Sequence, residues 1–237
     1  MSRRVNGARP PKPTGSTVCY SSNNRWESVI LALAGLLALI GASAAGVGMT
    51  RGIPSPPPSP AADAAPPPIG SEPTTALARA GLAAAAPTTI TIDRIGVRAQ
   101  ILALGVNNDG TVQVPPLDKA RDAGWYRWGP TPGQKGNAVI TGHVDSAESG
   151  PAVFFRLGEL RPGDRITISR AGGSAAVFRV DGVKSYPKAA FPTGLVYGPS
   201  DTAALRVITC GGTFDRKTGS YSDNVIAFGT LVAVAGK

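Results

Sequence analysis

Cys210 and His143 are the two side chains of this chain whose types suit nucleophilic catalysis. The 237 residues contain two cysteines and one histidine, so His143 is the only imidazole that could activate a thiol. Each residue directly follows an apolar run, ALRVIT before Cys210 and NAVITG before His143. We therefore predict that both lie at strand ends, where parallel or neighbouring strands could bring them together. The open alternatives are a buried, inert thiol and a surface histidine unrelated to it.

The elements that position these residues begin with an apolar segment, residues 29–49, VILALAGLLALIGASAAGVGM, which holds no charged residue. As a helix it would be roughly 30 Å long, the thickness of the hydrocarbon core of a bilayer. Basic residues precede it at five positions, Arg3, Arg4, Arg9, Lys12 and Arg25. The positive-inside rule therefore predicts a cytoplasmic segment at residues 1–28, a transmembrane signal-anchor helix at 29–49 and an extracellular remainder. A signal peptide cleaved near Ala42-Ser43-Ala44 is the open alternative, and it would also export the remainder.

Residues 50–87 are rich in proline, serine and alanine and hold almost no large apolar side chain, as in GIPSPPPSPAADAAPPPIGSEP. This composition predicts an extended extracellular linker. The predicted topology leaves Cys19 in the cytoplasm and Cys210 outside, so the two cannot form the disulfide that exported cysteines normally form. We interpret Cys210 as a residue retained for its reactivity.

Residues 88–237 are sufficient for one domain with its own core. Short apolar runs, bounded by Gly, Pro, Asn or Asp, predict strands at TITIDRI, ILALGV, TVQVP, NAVITG, DRITISR, AAVFRVDGVKSY, ALRVITC and NVIAFGTLVAV. Asn108–Gly110 predicts a hairpin turn, residues 151–160 are the best helix candidate, and Gly211-Gly212 should end the strand that carries Cys210. The domain is therefore predicted to be all-β or β-rich, a closed or nearly closed barrel with one or two short helices.

Residues 88–237 carry about +5 of the net charge of +9, and these charges are scattered without an interleaved aromatic platform, which argues against a nucleic-acid-binding surface. The spacing of Cys, His and carboxylates does not resemble a zinc site, and neither a P-loop nor a dinucleotide fingerprint occurs. Asp109, Asp145 and Glu148 could contribute to a calcium site, although their spacing does not require one. We therefore predict no cofactor and no metal.

Several stretches of the domain resemble sortases. TGHVD around His143 and ITC at Cys210 occur in this order in a small exported β-domain behind an N-terminal anchor. More narrowly, IDRIGVRAQILALGVNNDG, GWYRWGPTPGQKGNAVITGHVDS, VFFRLGELRPGDRI and TCGGTFDRKTGSYSDNVIAFG resemble the class F sortases of actinobacteria. The resemblance spans residues 90–232, and it implies an eight-stranded β-barrel and a cysteine transpeptidase or hydrolase.

In that family a cysteine thiolate attacks the Thr-Gly bond of a Leu-Pro-x-Thr-Gly-like sorting signal, and an amine resolves the thioacyl enzyme. The resemblance implies that Cys210 is the nucleophile and that His143 protonates the leaving amine and then activates the incoming one. The implied partners are secreted proteins with a C-terminal sorting signal and an amine from a peptidoglycan precursor or a protein lysine. Thr209, retained from the family's cysteine motif, and Asn224 are assigned to substrate binding.

The resemblance implies a third catalytic residue, an arginine near the start of the strand after the cysteine, which binds the substrate backbone and the developing oxyanion. In that region this chain has Ser-Asp-Asn at residues 222–224. Arg206 shares strand parity with Cys210 but lies about 13 Å down the strand. Arg216 is six residues after Cys210, in a loop that could fold back over the thiol, and we predict it as the third catalytic group. A neutral donor at Asn224 is the open alternative.

Two other classes remain open. L,D-transpeptidases also use an exported cysteine and histidine on a β-rich fold, but in a single compact motif, whereas His143 and Cys210 are far apart in sequence. A non-catalytic, stalked cell-wall-binding module would keep Cys210 buried and inert. Labelling of Cys210 by a small alkylating reagent would separate this module from the enzymes.

Overall fold

The computed structural model describes residues 76–236. The predicted cytoplasmic segment 1–28, the predicted anchor 29–49 and most of the predicted linker 50–87 lie outside the described residues. Among residues 76–236, no helix combines the length and the apolar character that crossing a bilayer requires.

The described residues form ten strands and two short α-helices. In chain order the strands are β1 (Pro87–Ile92), β2 (Val97–Leu104), β3 (Ala123–Tyr126), β4 (Gly136–Thr141), β5 (Asp145–Ser146), β6 (Gly150–Pro151), β7 (Arg165–Arg170), β8 (Ala175–Pro187), β9 (Ala203–Asp215) and β10 (Ser220–Ala235). The α-helices are α1 (Ala76–Ala80) and α2 (Thr193–Tyr197). Single 3-10 turns lie at Asp93–Ile95, Leu117–Lys119, Leu157–Glu159 and Lys188–Ala190.

Eight strands close into a barrel in the order β1-β2-β3-β4-β9-β10-β8-β7, and β5 and β6 form a separate two-stranded sheet. The predicted β-rich fold, with an eight-stranded barrel and short helices, is therefore confirmed. The β2–β3 and β4–β9 pairs are parallel, and the other barrel pairs are antiparallel. The β4–β9 pair positions the site, because His143 and Cys210 follow corresponding points of these two strands.

Alternation of side chains along the barrel strands separates two apolar clusters. The interior cluster fills the barrel and includes Ile90, Ile168, Phe178, Leu205 and Ala227. The outer-face cluster is formed by alternate residues of β4, β9 and β10 together with their cover, and it includes Val139, Ile208, Cys210, Ile226 and Phe228. The β8–β9 connection that contains α2 packs on the outer-face cluster, where Val196 is fully buried. This connection therefore shields the apolar face on which Cys210 lies.

The strand that carries Cys210 does not end at the two glycines, as the sequence predicts. β9 continues to Asp215, and Gly211 stays in the ladder opposite Asp223 of β10. The register then shifts between Tyr221 and Asp223, and Gly212 has a φ of 77°. A glycine in the left-handed region is typical of a β-bulge, which bends a strand without ending it.

Pro151 belongs to β6, and residues 152–160 contain turns and one 3-10 turn, so the helix predicted at residues 151–160 is absent. The reason is that backbone donors in this segment have tertiary partners. Val153 N donates to Ala120 O at 3.1 Å, and Phe154 N donates to His143 O at 3.0 Å.

Two other differences concern β3 and the predicted hairpin. All four residues of β3 are buried, so it lacks the alternation that reveals a strand. The hairpin turn at Asn108–Gly110 is present, with Asn107 N donating to Thr111 O at 2.8 Å. Beyond it, Val106 and Val112 form a single bridge rather than the longer predicted strand.

The end of the predicted linker packs on the barrel through α1. Ala78 of α1 is fully buried in the interior cluster. Leu82 N donates to Gly133 O at 2.8 Å, and Ala85 N donates to Thr131 Oγ1 at 3.2 Å. The small alanine side chains of α1 permit this close approach to the barrel. The alanine-rich composition, from which we predict an extended linker, is therefore also compatible with a tightly packed helix.

Candidate active site

His143 and Cys210 lie at the same level of two neighbouring strands. The parallel β4–β9 ladder pairs Thr141 with Ile208, and Gly142 N donates to Ile208 O at 3.1 Å. His143 and Cys210 each follow these paired residues by two positions. Neighbouring strands are about 4.8 Å apart, and residues two apart share a face. His143 lies two residues beyond the end of β4, so the structure places the imidazole-bearing position beside β9 at the level of Cys210.

Backbone groups hold His143 in place. Its Nε2 lies 2.6 Å from Pro115 O, and because a carbonyl oxygen only accepts, Nε2 carries the proton and donates it. Phe154 N donates to His143 O, which fixes the main chain. The preceding residue is glycine because a Cβ at Gly142 would lie 2.5 Å from Cδ2 of buried Phe154. Nδ1 is consequently the ring nitrogen left for proton transfer.

Cys210 is only 5% exposed and packs within the outer-face cluster. This differs from the predicted position at a strand end, because β9 continues past the thiol as a hairpin with β10. Half-buried side chains pack on the same cluster, among them Tyr186, Phe191, Leu195 and Tyr221. A substrate therefore has to displace some of this cover to reach the sulfur.

Asn224 lies directly opposite Cys210 in the β9–β10 ladder, and Tyr186 of β8 lies opposite Asn224. Paired residues of an antiparallel ladder share a face, with Cβ atoms about 4.5–5.5 Å apart. Asn224 is fully buried, and neither its Oδ1 nor its Nδ2 has a hydrogen-bond partner within residues 76–236. Leaving a buried polar group unsatisfied costs about 1–3 kcal/mol. Because the unsatisfied amide of Asn224 lowers the stability of the fold, we expect its position beside the thiol to serve function.

Thr209 adjoins Cys210 in sequence but lies on the opposite side of β9. It pairs with Val225, a member of the interior cluster, so its side chain faces the barrel interior. Its Oγ1 is buried without a hydrogen-bond partner among the described residues. The structure does not bring Thr209 onto the face shared by Cys210, His143 and Asn224.

Arg206 lies on the same face as Cys210, but its guanidinium group is engaged elsewhere. Nε donates to Leu195 O at 3.2 Å, Nη1 donates to Leu205 O at 3.1 Å, and Cζ lies 5.0 Å from the ring centre of Phe228. Burial lowers the pKa of Arg206 to about 10, although the nearby charges of Asp181 and Tyr186 raise it. Arg206 therefore holds the α2 connection against the sheet.

Arg216 lies at the tip of the β9–β10 hairpin and is exposed. Six residues of mostly extended chain separate it from Cys210, a span of up to roughly 20 Å. The hairpin stays extended because Asp215 pairs with Ser220 across its end. The loop does not fold back over the thiol, and the structure does not bring Arg216, our predicted third catalytic group, to the site.

A hydrogen bond that the sequence does not reveal joins the two sides of the site. Tyr221 Oη donates to Asp145 Oδ2, which links β10 to β5, two residues after His143. The Tyr221 ring packs on the outer-face cluster, and its centroid lies 5.0 Å from that of Phe214. Burial, followed by the bond to Asp145, raises the pKa of Tyr221. The carboxylate in TGHVD is a signal for this contact, but the sequence does not identify its partner.

Two of the three carboxylates considered for calcium accept hydrogen bonds from protein groups. Asp145 accepts from Tyr221, and Asp109 Oδ1 accepts from Thr111 Oγ1 at 2.6 Å and Thr111 N at 2.9 Å. The Thr111 side-chain hydrogen bond is the main cause that lowers the pKa of Asp109. Within residues 76–236, no three His, Cys, Asp or Glu side chains lie close enough together to hold a metal ion.

Three solved structures are similar to this chain in fold. They are sortase C1 of pilus island 1 of group B Streptococcus (20% identity, 61% of this chain and 64% of that chain, TM-score 0.48), sortase A of Listeria monocytogenes (19%, 65% and 91%, 0.47) and sortase C of Streptococcus pneumoniae (16%, 63% and 69%, 0.47). The chain thus spans 64% of the length of the group B streptococcal protein. No curated protein matches the chain.

The family model described as "Sortase domain" matches residues 90–232, more than half of the chain. These residues include all eight strands of the closed barrel, in whole or in part, and both Cys210 and His143. The chain belongs to the sortase family.

Proposed function

We propose that this protein is a membrane-anchored extracellular sortase of the class F type. It cleaves a Leu-Pro-x-Thr-Gly-like sorting signal between Thr and Gly and transfers the acyl group to an amine of a peptidoglycan precursor or a protein. The observation that carries the proposal is that Cys210 in β9 and His143, just past the end of β4, each lie two residues beyond the parallel pair Thr141–Ile208. Family membership supports cysteine transpeptidase chemistry, and the resemblance described above supports the class and the substrate.

In the first half-reaction, Cys210 Sγ attacks the carbonyl carbon of the threonine while the thiol proton passes to His143. An S–C bond forms, and negative charge develops on the carbonyl oxygen. The C–N bond to glycine then breaks as His143 returns the proton to the leaving amine. In the second half-reaction, the acceptor amine gives a proton to His143 and attacks the thioester, which releases the Cys210 thiol. Water in place of the amine gives hydrolysis.

The hydrogen bond to Pro115 O determines which ring nitrogen of His143 exchanges protons during the reaction. Because Nε2–H donates to this carbonyl, the proton is received and returned at Nδ1. When the ring becomes charged, the bond to Pro115 O becomes charge-assisted and therefore stronger. A fixed backbone carbonyl thus orients the imidazole and stabilises the imidazolium that each half-reaction needs.

The proposed location places residues 1–28 in the cytoplasm, the anchor at residues 29–49 and the barrel outside the cell. The uncharged segment and the basic residues before it support this topology. The test is protease digestion of spheroplasts that express the full chain with a tag at each end. Loss of the C-terminal tag with survival of the N-terminal tag is expected, and protection of the C-terminal tag would refute the topology.

The catalytic proposal is tested with the full chain in detergent, incubated with a panel of Leu-Pro-x-Thr-Gly-type peptides. Mass spectrometry with peptide mapping should find an acyl adduct on Cys210, and an added amine should discharge it. Cys19→Ala is the matched control that should retain the adduct, and Cys210→Ala should lose it. If Cys210 alkylates readily but forms no adduct, the substrate class is wrong. Resistance to both reagents would favour a non-catalytic wall-binding module.

A further inference from the structure

The Cys210 site contains a fully buried carboxamide, that of Asn224, which takes no part in the acid–base chemistry of Cys210 and His143. Asn224 is 0% exposed, it is the cross-strand partner of Cys210, and its Oδ1 and Nδ2 lack hydrogen-bond partners among residues 76–236. The two arginines nearest in sequence do not supply a cation here. Arg206 is bound to Leu195 O, and Arg216 lies at the hairpin tip.

We propose that Asn224 Nδ2 donates a hydrogen bond to the carbonyl oxygen of the scissile bond and holds that oxygen as it becomes an oxyanion. A neutral amide thus does in this chain what the resemblance assigns to an arginine. The inference rests on the proposed acyl transfer. It assigns to Asn224 direct contact with the reacting atoms.

The cross-strand spacing suits this role. Cβ atoms of the Cys210–Asn224 pair are about 4.5–5.5 Å apart, and both side chains leave the sheet on the same face. An attacked carbonyl carbon lies about 3–3.5 Å from the sulfur, and its oxygen needs a donor at about 2.7–3.1 Å. Once the cover is displaced, the thiol and the amide are close enough for one carbonyl group to contact both, with its carbon towards the thiol and its oxygen towards the amide.

Two other polar side chains on this face are less well placed. The Tyr186 hydroxyl also lacks a partner within the described residues, but its ring packs on Phe228, 6.5 Å between centroids, away from the Cys210 level of the sheet. Lys184 pairs with Ile226, one level from Cys210 and on the far side of β10. Asn224 is the unpartnered group that directly adjoins the thiol.

A neutral donor has a consequence that separates it from a cation. An arginine beside the thiol would favour the thiolate and also bind the oxyanion, so its removal would slow every reaction of the thiol. The Asn224 amide acts on the substrate's carbonyl oxygen and has little influence on thiolate formation. Its removal should slow acylation, which develops an oxyanion, and leave alkylation, which does not, unchanged.

The experiment compares two reactions of Cys210 in the full chain in detergent. Iodoacetamide alkylation reports the thiol, and single-turnover acylation by a saturating Leu-Pro-x-Thr-Gly-type peptide reports the oxyanion. Asn224→Ala should lower the acylation rate constant about 100- to 1000-fold, the usual loss for one oxyanion donor. Asn224→Asp, which keeps the shape but offers a negatively charged acceptor, should be at least as slow. Thr230→Val is the control, since it removes a buried hydroxyl of β10 bonded to Asp181, far from the site.

A peptide aldehyde provides an equilibrium readout. The thiol adds to its carbonyl, an S–C bond forms and the thiol proton ends on the oxygen, so the adduct places an oxygen beside Asn224 without a leaving group. Affinity for the aldehyde should also fall, but by less than the acylation rate constant, because the oxygen of the adduct is a neutral hydroxyl. Equal acylation by wild type and Asn224→Ala would overturn the inference while the proposed function stands. Equal losses of acylation and alkylation would also overturn it, and absence of any adduct on wild-type Cys210 would refute the proposed function together with the inference.

Discussion

The hydrogen bond between Tyr221 and Asp145 should keep Cys210 covered. Tyr221 packs on the cluster that contains the thiol, and its hydroxyl is tied to a carboxylate two residues from His143. Tyr221→Phe removes only the hydroxyl and preserves the ring that packs against Phe214. We therefore expect this substitution to expose Cys210 more often while leaving the barrel intact.

The magnitude follows from the type and burial of the bond. A hydrogen bond to an ionised group contributes about 1.5–3 kcal/mol, and because both side chains are half-buried we take about 1–2 kcal/mol. If a reagent reaches Cys210 only after Tyr221 moves, this loss raises the population of the open form. Since 1.4 kcal/mol is a factor of ten, the alkylation rate should rise about 5- to 30-fold.

The assay is the second-order rate constant of iodoacetamide alkylation at Cys210, measured by peptide mapping. Asp145→Asn should accelerate the reaction similarly, and the double variant should show no further gain, because both changes remove one bond. Thr218→Ala is the control, since it removes a hydrogen bond to Asp215 in the same hairpin without touching the cover. A rate unchanged by Tyr221→Phe, or fully additive effects in the double variant, would refute the reasoning.

Two further predictions concern the buried side chains of Arg206 and His143. At neutral pH Arg206 is charged in both the folded and the unfolded state. Because folding lowers its pKa to about 10, the charged side chain destabilises the folded state by roughly 3 kcal/mol. This penalty disappears only as the pH rises from about 10 to 12.5. The hydrogen bonds of Arg206 to Leu195 O and Leu205 O stabilise the folded state by about the same amount as this penalty. Arg206→Met should therefore change the free energy of unfolding, measured in urea, by less than about 2 kcal/mol. A larger loss of stability would contradict this balance. Methylation of His143 at Nδ1, by incorporation of the modified amino acid, blocks this nitrogen and, in the neutral ring, leaves Nε2 without the proton that it donates to Pro115 O. It should therefore abolish thioester formation. Retained turnover would show that Nε2 exchanges the proton.

The strands could be predicted from the sequence because a half-buried strand has a period of two. The pattern in TITI and DRITIS matches β1 and β7, each of which has one buried face. β3 could not be found in this way, since Ala123–Tyr126 are buried on both faces and give no period. α2 is five residues long and lacks a side-chain cap at its start, so no local signal marks it. Tertiary packing, rather than propensity, determines these two elements.

Cys210 and His143 could be singled out as the candidate nucleophile and acid–base residue because they are rare residue types that directly follow apolar runs. The sequence leaves the candidate third group open between Arg216 and Asn224, because the choice depends on cross-strand register. A one-residue shift of β10 would place Asp223 or Val225, instead of Asn224, opposite the thiol. The two glycines after Cys210 suggested a loop that could carry Arg216 back to the site. In the structure Gly211 pairs with Asp223, and the hairpin carries Arg216 away.

Gly212 gives this hairpin its shape, and its substitution tests how the hairpin covers the thiol. Its φ of 77° disfavours alanine by about 1–2 kcal/mol, and a Cβ there would lie 2.3 Å from Ser222 Oγ and 2.8 Å from Asp223 Cγ. Gly212→Ala should therefore push the Ser222 and Asp223 side chains aside and break the hydrogen bond from Thr213 N to Ser222 Oγ. Ser222 and Asp223 directly follow Tyr221, so we expect Tyr221 to loosen and alkylation of Cys210 to accelerate. Gly172→Ala is the matched control, because its φ is 87° and a Cβ there would meet nothing within 4 Å. Both variants should lower the Tm through backbone strain, but only Gly212→Ala should change Cys210 reactivity. Equal reactivity in the two variants would mean that the bulge does not position the cover.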